Sequence, residues 1–155
     1  MLSKKSKYAV KALVALAKNY KKGPVLISSI AAKEHIPKKF LEAILLELRK
    51  RGVLGSKKGS GGGYYMIKPP DEVMLSNIMR ITDGPIALTP CVSLNFYEHC
   101  EECENEAICG LRSVALDVRD ASLNILTKTS IADLVSREQR PAKRKRNTKN
   151  TKNEV

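Results

Sequence analysis

Residues 38–68, KKFLEAILLELRKRGVLGSKKGSGGGYYMIK, carry the reading on which the fold turns. Leu41, Ile44, Leu45 and Leu48 follow the i, i+3, i+4, i+7 spacing of one buried helical face, an arc of about 100°. Lys38, Glu42 and Arg49 lie toward the other side, with Lys39 and Lys50 beyond them. Gly52 ends this helix. An extended segment follows, then the basic, glycine-rich run Lys57-Lys58-Gly59-Ser60-Gly61-Gly62-Gly63, then a returning strand over Tyr64–Lys68 closed by Pro69-Pro70. A hairpin with a positive tip directly after a basic amphipathic helix is a wing. No GxxxxGK[ST] is present and no helix follows the glycines, so the loop is not a nucleotide-binding P-loop.

Upstream, Ser28-Ser29 predicts the cap of a short helix through Glu34, and His35-Ile36-Pro37 predicts a tight connection to the helix at Lys38. Before it, Tyr8–Ala17 is an Ala- and Leu-rich helix stopped by Gly23-Pro24. Short helix, turn, basic helix and wing predict a mainly α fold with a small β-hairpin, the winged helix-turn-helix.

Charge divides the 155 residues into three parts. Residues 1–68 carry net +13, residues 69–136 net −7 and residues 137–155 net +6, for an overall +12. Such a basic front makes a polyanion the first partner to consider. No 18-residue apolar run and no leader pattern occurs, so a cytoplasmic, non-membrane protein is expected. The basic run from 137 onward reads as a disordered tail.

In the acidic middle, Ser76–Thr82 is a short helix, and the pattern is lost from Ile86 to Gly110. All four cysteines fall there, as Cys91-x8-Cys100-x2-Cys103-x5-Cys109, with His99 beside the second. Four soft donors in one irregular loop suggest a metal or an iron–sulfur cluster, and a metal would order such a loop. Only Cys100 and Cys103 are closely spaced, unlike the paired CxxC of common zinc sites. The glutamates around the thiols would raise their pKa and slow simple thiolate chemistry. Leu111–Lys128 is a long helix. Leu111, Val114, Val118, Ala121 and Ile125 form a heptad seam, while Leu116, Leu123 and Leu126 form a second stripe. Two apolar stripes need two contacts, and a second subunit is the natural second one. Ser130 predicts the cap of a closing helix. No acid–base pair, nucleophile elbow or nucleotide loop is found, so an enzyme is not expected.

Several stretches together resemble the Rrf2 family of bacterial transcription regulators over residues 1–136. They are Leu2-Ser3, Lys7–Val10, Gly23-Pro24-Val25, Ile30-Ala31, Phe40-Leu41-Glu42, Leu48-Arg49-Lys50, Gly59–Tyr64, Gly84-Pro85-Ile86 and Ile131–Leu134. The resemblance implies a dimeric winged helix: residues 1–70 the DNA-binding core, 71–110 a helix and the Cys loop, 111–136 the dimerisation and closing helices. It implies a [2Fe–2S] cluster on Cys91, Cys103 and Cys109, zinc being the alternative metal. Where some members place a histidine ligand this chain has Arg112, and where others place an acid it has Tyr8. Cys100 is therefore the first candidate for fourth ligand and His99 the second. The expected DNA-reading residues are Lys38, Lys39, Glu42, Arg49, Lys50, Lys57, Lys58, Gly59 and Ser60, acting on duplex DNA with a roughly palindromic operator. Glu42 and Lys58 match the family positions that tune sequence preference and enter the minor groove. A different class of function, a metal-binding adaptor or regulatory subunit that docks a protein through its winged helix, is the alternative.

Overall fold

Leu41, Ile44, Leu45 and Leu48 are all sealed in the core, and the rest of the chain is arranged around that face. In the computed structural model, which describes residues 2–101 and 103–139, they belong to α3 (Lys38–Lys50). They meet Leu13 and Leu16 of α1 (Lys4–Ala17), Ile30 of α2 (Ile27–Glu34) and Ile78 of α4 (Leu75–Thr82). Burying each such side chain contributes roughly 1.5–3 kcal/mol. The chain ends this region in a hairpin, β1 (Leu54–Lys57) and β2 (Gly63–Met66), paired antiparallel with Leu54 opposite Met66 and Lys57 opposite Gly63. The fold is mainly helical with one small hairpin, a winged helix.

The start of α2 differs from the serine cap expected at Ser28. Leu26 is the N-cap, with no side-chain hydrogen bond, and its carbonyl accepts the N–H groups of Ser29 and Ile30. The start is set instead by a tertiary contact. Val25 and Tyr64 exchange both backbone hydrogen bonds at 2.9 Å, so the chain enters α2 already clamped to the wing. Gly63 makes that clamp possible. Its φ is +146°, and a Cβ there would lie 2.2 Å from the Val25 carbonyl oxygen. At the other end of α2, His35 adopts a left-handed conformation at φ 54° and Ile36 N–H returns to the Ala31 carbonyl. Pro37 is then the N-cap of α3, its carbonyl accepting the Leu41 N–H.

After α4 and the irregular loop come α5 (Gly110–Leu126) and α6 (Ile131–Gln139). Ser130 caps α6 as its sequence predicts: its hydroxyl accepts the Asp133 N–H, and the Asp133 carboxylate accepts the Ser130 N–H, a capping box. That N–H and the Ser130 hydroxyl hold the Asp133 carboxyl below its usual range. Helix α6 runs through Gln139, three residues into the stretch read as tail, and the rest of the basic tail, 140–155, lies outside the described residues. Among the described residues no helix is long and apolar enough to cross a membrane.

The two stripes of α5 separate cleanly. Ala115 is buried and Leu116 half-buried against Cys91 and Val92, and Leu123 and Leu126 are half-buried too. The seam faces solvent along its length: Leu111 is 68% exposed, Val114 58% and Ile125 62%, with Val118 and Ala121 also exposed. Backbone hydrogen bonds of 2.9 Å from Leu75 N–H to Thr129 O and from Ile131 N–H to Val73 O stitch the end of the α5 hairpin to the chain entering α4.

At the opposite end of α4, Asp83 accepts both the N–H (3.2 Å) and the hydroxyl of Ser3, while Ser6 and Thr82 share a buried hydroxyl contact. Partial burial works to raise the Asp83 carboxyl. Hydrogen bonds from the Ser3 and Ser6 side chains and the Ser3 N–H, together with the Lys5 charge, outweigh it and hold the group below its usual value. A depressed folded pKa stabilises fully above the unfolded value near ~3.9 and is lost as pH falls through the folded one. Asp83→Asn is expected to lower the melting temperature at pH 7 by the equivalent of no more than about 1 kcal/mol, because the carboxylate is largely solvated. The gap from wild type should close as the scan is repeated at pH values below ~4; a gap independent of pH would show that charge plays no part.

Candidate nucleic-acid interface and cysteine pocket

The buried face of α3 dictates what its opposite face can do. Lys38, Lys39, Glu42, Arg49 and Lys50 are all exposed, as are Lys57, Lys58, Gly59 and Ser60 on the wing. Counting about 100° per residue, the direction opposite the buried four runs between Lys39 and Lys50, with Leu46 roughly 30° to one side and Ala43 roughly 30° to the other. Leu46 is 39% exposed and Ala43 is exposed. The expectations from sequence passed over both, because attention to charge skips apolar residues on a polar face; the same angular arithmetic finds them.

Three expected contact residues are already engaged. Lys38 Nζ lies 3.9 Å from a Glu42 carboxylate oxygen one turn on. Arg49 Nη1 donates to Ser56 Oγ at 2.9 Å, bridging the last turn of α3 to β1. Arg49 therefore braces the wing against α3, in addition to carrying charge. Glu47 is drawn away from the outer face by Lys5 of α1, at 2.7 Å. Among the described residues Lys39, Lys50, Lys57 and Lys58 make no ion pair. The wing tip turns on Gly59 (φ +92°) and Gly61 (φ +71°), with Gly62 N–H donating to Gly59 O at 3.0 Å.

The loop between α4 and α5 brings all four cysteines to one pocket of about 240 Å³, with His99, Glu98, Glu106, Leu111 and Arg112 in its walls. Cys91 is buried in a 3-10 turn, its Sγ 3.3 Å from Thr89 Oγ1. Cys103 is half-buried and its N–H donates to Cys100 O at 3.0 Å, so the exposed Cys100 sits on the same turn. Cys109 caps α5, its sulfur accepting the Arg112 N–H at 3.4 Å. Burial first, and the neighbouring Cys109 second, push the Cys103 thiol up. The direction agrees with expectation, but the cause is burial and sulfur rather than the surrounding glutamates.

Sequence reading missed the hub of this pocket, Glu106. Its half-buried carboxylate accepts from Tyr97 Oη at 2.9 Å and lies 3.2 Å from Arg112 Nε and 3.9 Å from His99 Nε2. The hydrogen bond to Glu106 holds the Tyr97 phenol above its usual value. The Arg112 approach is an ion pair too bent for a hydrogen bond, leaving that buried Nε without one. Among the described residues, no three His, Cys, Asp or Glu side chains gather tightly enough to hold a single metal ion. The donor chemistry, four free sulfurs lining one pocket, nevertheless suits a thiolate-ligated group whose ligands stand further apart than those of one ion.

Comparison with known proteins gives a consistent picture. Residues 2–137 match the Rrf2 family model, described as an iron-dependent transcriptional regulator. An Rrf2-like helix-turn-helix transcriptional regulator of Rhodobacter capsulatus is 40% identical over 139 residues, covering 88% of this chain and 93% of the relative. The structure of CymR, the global cysteine regulator of B. subtilis, superposes with a TM-score of 0.74 at 30% identity, covering 88% of this chain and 97% of that one. T. potens IscR gives 0.70 at 25% identity, with 92% of each chain covered.

The Arg49–Ser56 brace has a measurable signature. Ser56→Ala removes no charge, yet it is expected to weaken DNA binding about three- to tenfold with an unchanged salt dependence, the range for one ordinary, solvent-exposed hydrogen bond. Arg49→Ala should add little once Ser56→Ala is present, as in any double-mutant cycle on an interacting pair. Wild-type affinity in Ser56→Ala, measured by fluorescence anisotropy, would leave Arg49 a plain phosphate contact.

Proposed function

Because the chain belongs to the Rrf2 family of transcriptional regulators, we propose that it is a cytoplasmic homodimer that reads a roughly palindromic DNA operator, its binding modulated by a [2Fe–2S] cluster in the cysteine pocket. The chain is a regulator and not an enzyme. One observation carries the DNA-reading role: the outer face of α3 and the adjoining wing tip are exposed and lysine-rich. In a winged helix, α3 enters the major groove, where Lys39 and Glu42 meet base edges. Lys38, Arg49 and Lys50 then lie toward the phosphates. Lys57 and Lys58 reach the flanking backbone or minor groove, with Gly59 and Ser60 at the point of closest approach. Lysine lacks the planar fork of arginine, so the wing acts chiefly as charge.

The solvent-facing seam on α5 supports the homodimer. Leu111, Val114, Val118 and Ile125 form one continuous apolar stripe on a helix that already packs its other stripe at home. Pairing two such stripes about a twofold axis sets two recognition helices at a fixed separation, which a palindrome mirrors.

Cys91, Cys103 and Cys109 are the proposed cluster ligands, with Cys100 before His99 as the fourth. Cys100 shares the Cys103 turn, whereas His99 Nε2 faces Glu106. Arg112 cannot ligate, and its guanidinium balances Glu106 at the pocket wall. When bound, the cluster would supply a crosslink sensitive to oxidation and iron supply. Cys109 is the N-cap of α5, so ligation there ties the loop to the helix that carries the seam.

Binding of a selected duplex should weaken steeply with salt, each phosphate contact contributing about 0.9 to the log–log slope. Replacing Lys57 and Lys58 together by Ala is expected to flatten that slope by about 1 to 2; an unchanged slope and affinity would defeat the wing assignment. Protein purified without oxygen should be coloured and contain iron and acid-labile sulfide in equal amounts. Cys109→Ala should lose both. Of Cys100→Ala and His99→Ala, the one that bleaches identifies the fourth ligand. A colourless wild-type protein carrying zinc would overturn the cluster.

A further inference from the structure

We propose that Leu46, with Ala43 beside it, forms an apolar reading patch that recognises thymine C5-methyl groups in the major groove. The inference rests on the DNA-reading role proposed above and names the sequence feature read at the centre of that face.

The buried side chains Leu41, Ile44, Leu45 and Leu48 fix the rotation of α3. That rotation puts Leu46 and Ala43 each within about 30° of the outward direction, flanking Lys39 and Lys50, where a helix inserted in a groove comes nearest the base edges. The centre of the face therefore offers two lysine donors and an apolar surface. It has no Asn or Gln to pair with adenine, and its one carboxylate, Glu42, lies to the side and faces Lys38. Lysine suits guanine O6 and N7. An apolar side chain in the major groove has one matching base feature, the methyl group of thymine.

The other exposed apolar side chain on α3 does not compete for this role. Phe40 stands at the edge of the face and turns its ring edge-to-face against Tyr8 of α1, centroids 5.7 Å apart. Leu46 is exposed, and its i+4 neighbour is Lys50. Ala43 and Leu46 are three residues apart, about 4.5 Å along the helix axis at 1.5 Å per residue. Base pairs stack at about 3.4 Å. The pair therefore spans at most neighbouring base pairs, and the expected feature is one or two adjacent thymines per half-site, next to a guanine facing Lys39. A solitary surface leucine without any role is the competing reading, since single exposed apolar residues are common.

The experiment uses the full chain, purified anaerobically, and a duplex enriched by it from random-sequence DNA. Each thymine of that duplex is replaced in turn by deoxyuridine, which deletes only the methyl group. Wild type is expected to lose about three- to fivefold at one or two thymines per half-site, as for one buried methyl. Leu46→Ala should bind the parent duplex more weakly and be indifferent to uridine at those positions, with its salt slope and its response elsewhere unchanged. Leu46→Met should keep the uridine penalty. Circular dichroism melts that match wild type confirm intact folding, expected for so exposed a side chain. If no uridine matters, or if the penalty persists in Leu46→Ala, the inference falls while DNA reading stands. If wild type enriches no duplex at all, the DNA-reading role itself falls and takes the inference with it.

Discussion

The rotational setting of α3 is the constraint on which the rest of the structure depends. Four side chains on one side of a thirteen-residue helix are sealed against α1, α2 and α4. Rotating the helix by even 60° would carry two of them into water and drive charged groups inward, at several kcal/mol. The outward face is thus determined by the inward one. Lys39, Glu42, Ala43, Leu46 and Lys50 are presented without any contact of their own having to aim them, and Lys5 removes Glu47 from the field by pairing with it on the flank. The wing inherits the same frame, because Arg49 grips Ser56 and the Val25–Tyr64 exchange ties β2 to the entry of α2.

The parts of the fold that were legible in the sequence are those with a period. The α3 stripe, the two stripes of α5 and the glycine-tipped hairpin each announce themselves within one stretch of chain, and each has its expected place. What was not legible depended on partners distant in sequence. Helix α2 begins at Ile27 because Tyr64, thirty-seven residues away in the chain, holds Val25; the two serines were a plausible local cap that the tertiary contact overrode. The Ser3–Asp83 clamp joins residues 80 apart and has no local signature. The Arg49–Ser56 bridge is nearly local, yet a basic residue on an exposed helix face is read as charge before it is read as a strut.

The cysteine loop shows the same division. The four sulfurs were visible as a set, and all four line one pocket. Glu106 was counted only among the surrounding acids, whereas it organises Tyr97, His99 and Arg112 into the wall around those sulfurs. A carboxylate half-buried beside thiols is costly unless it is neutralised, and Arg112 does that from the first turn of α5. Arg112 thus has a structural task at the pocket wall, as the counter-charge to Glu106.

These local arrangements lie along one line through the molecule. The pocket opens at the N-terminus of α5, where Cys109 is the cap; Arg119 further along that helix donates to the Val92 carbonyl at 2.8 Å, next to Cys91. Both ends of the thiol loop are therefore fastened to α5. That helix exposes its seam on one side and, at its far end, hands the chain to the Thr129–Ser130 stitch on the segment entering α4. Helix α4 in turn closes on the start of α1 through Thr82 and Asp83 and contributes Ile78 to the core that orients α3. A change in how the loop holds Cys109 and Cys91 would be felt first in the pose of α5, hence in the angle between the subunits of the proposed homodimer, before it reached the packing behind α3. In that proposed dimer the winged helix itself would need no deformation: altering the separation of two rigid winged helices would suffice to match or mismatch the proposed palindrome, and the dense α1–α3 core favours that rigid-body route over any internal rearrangement.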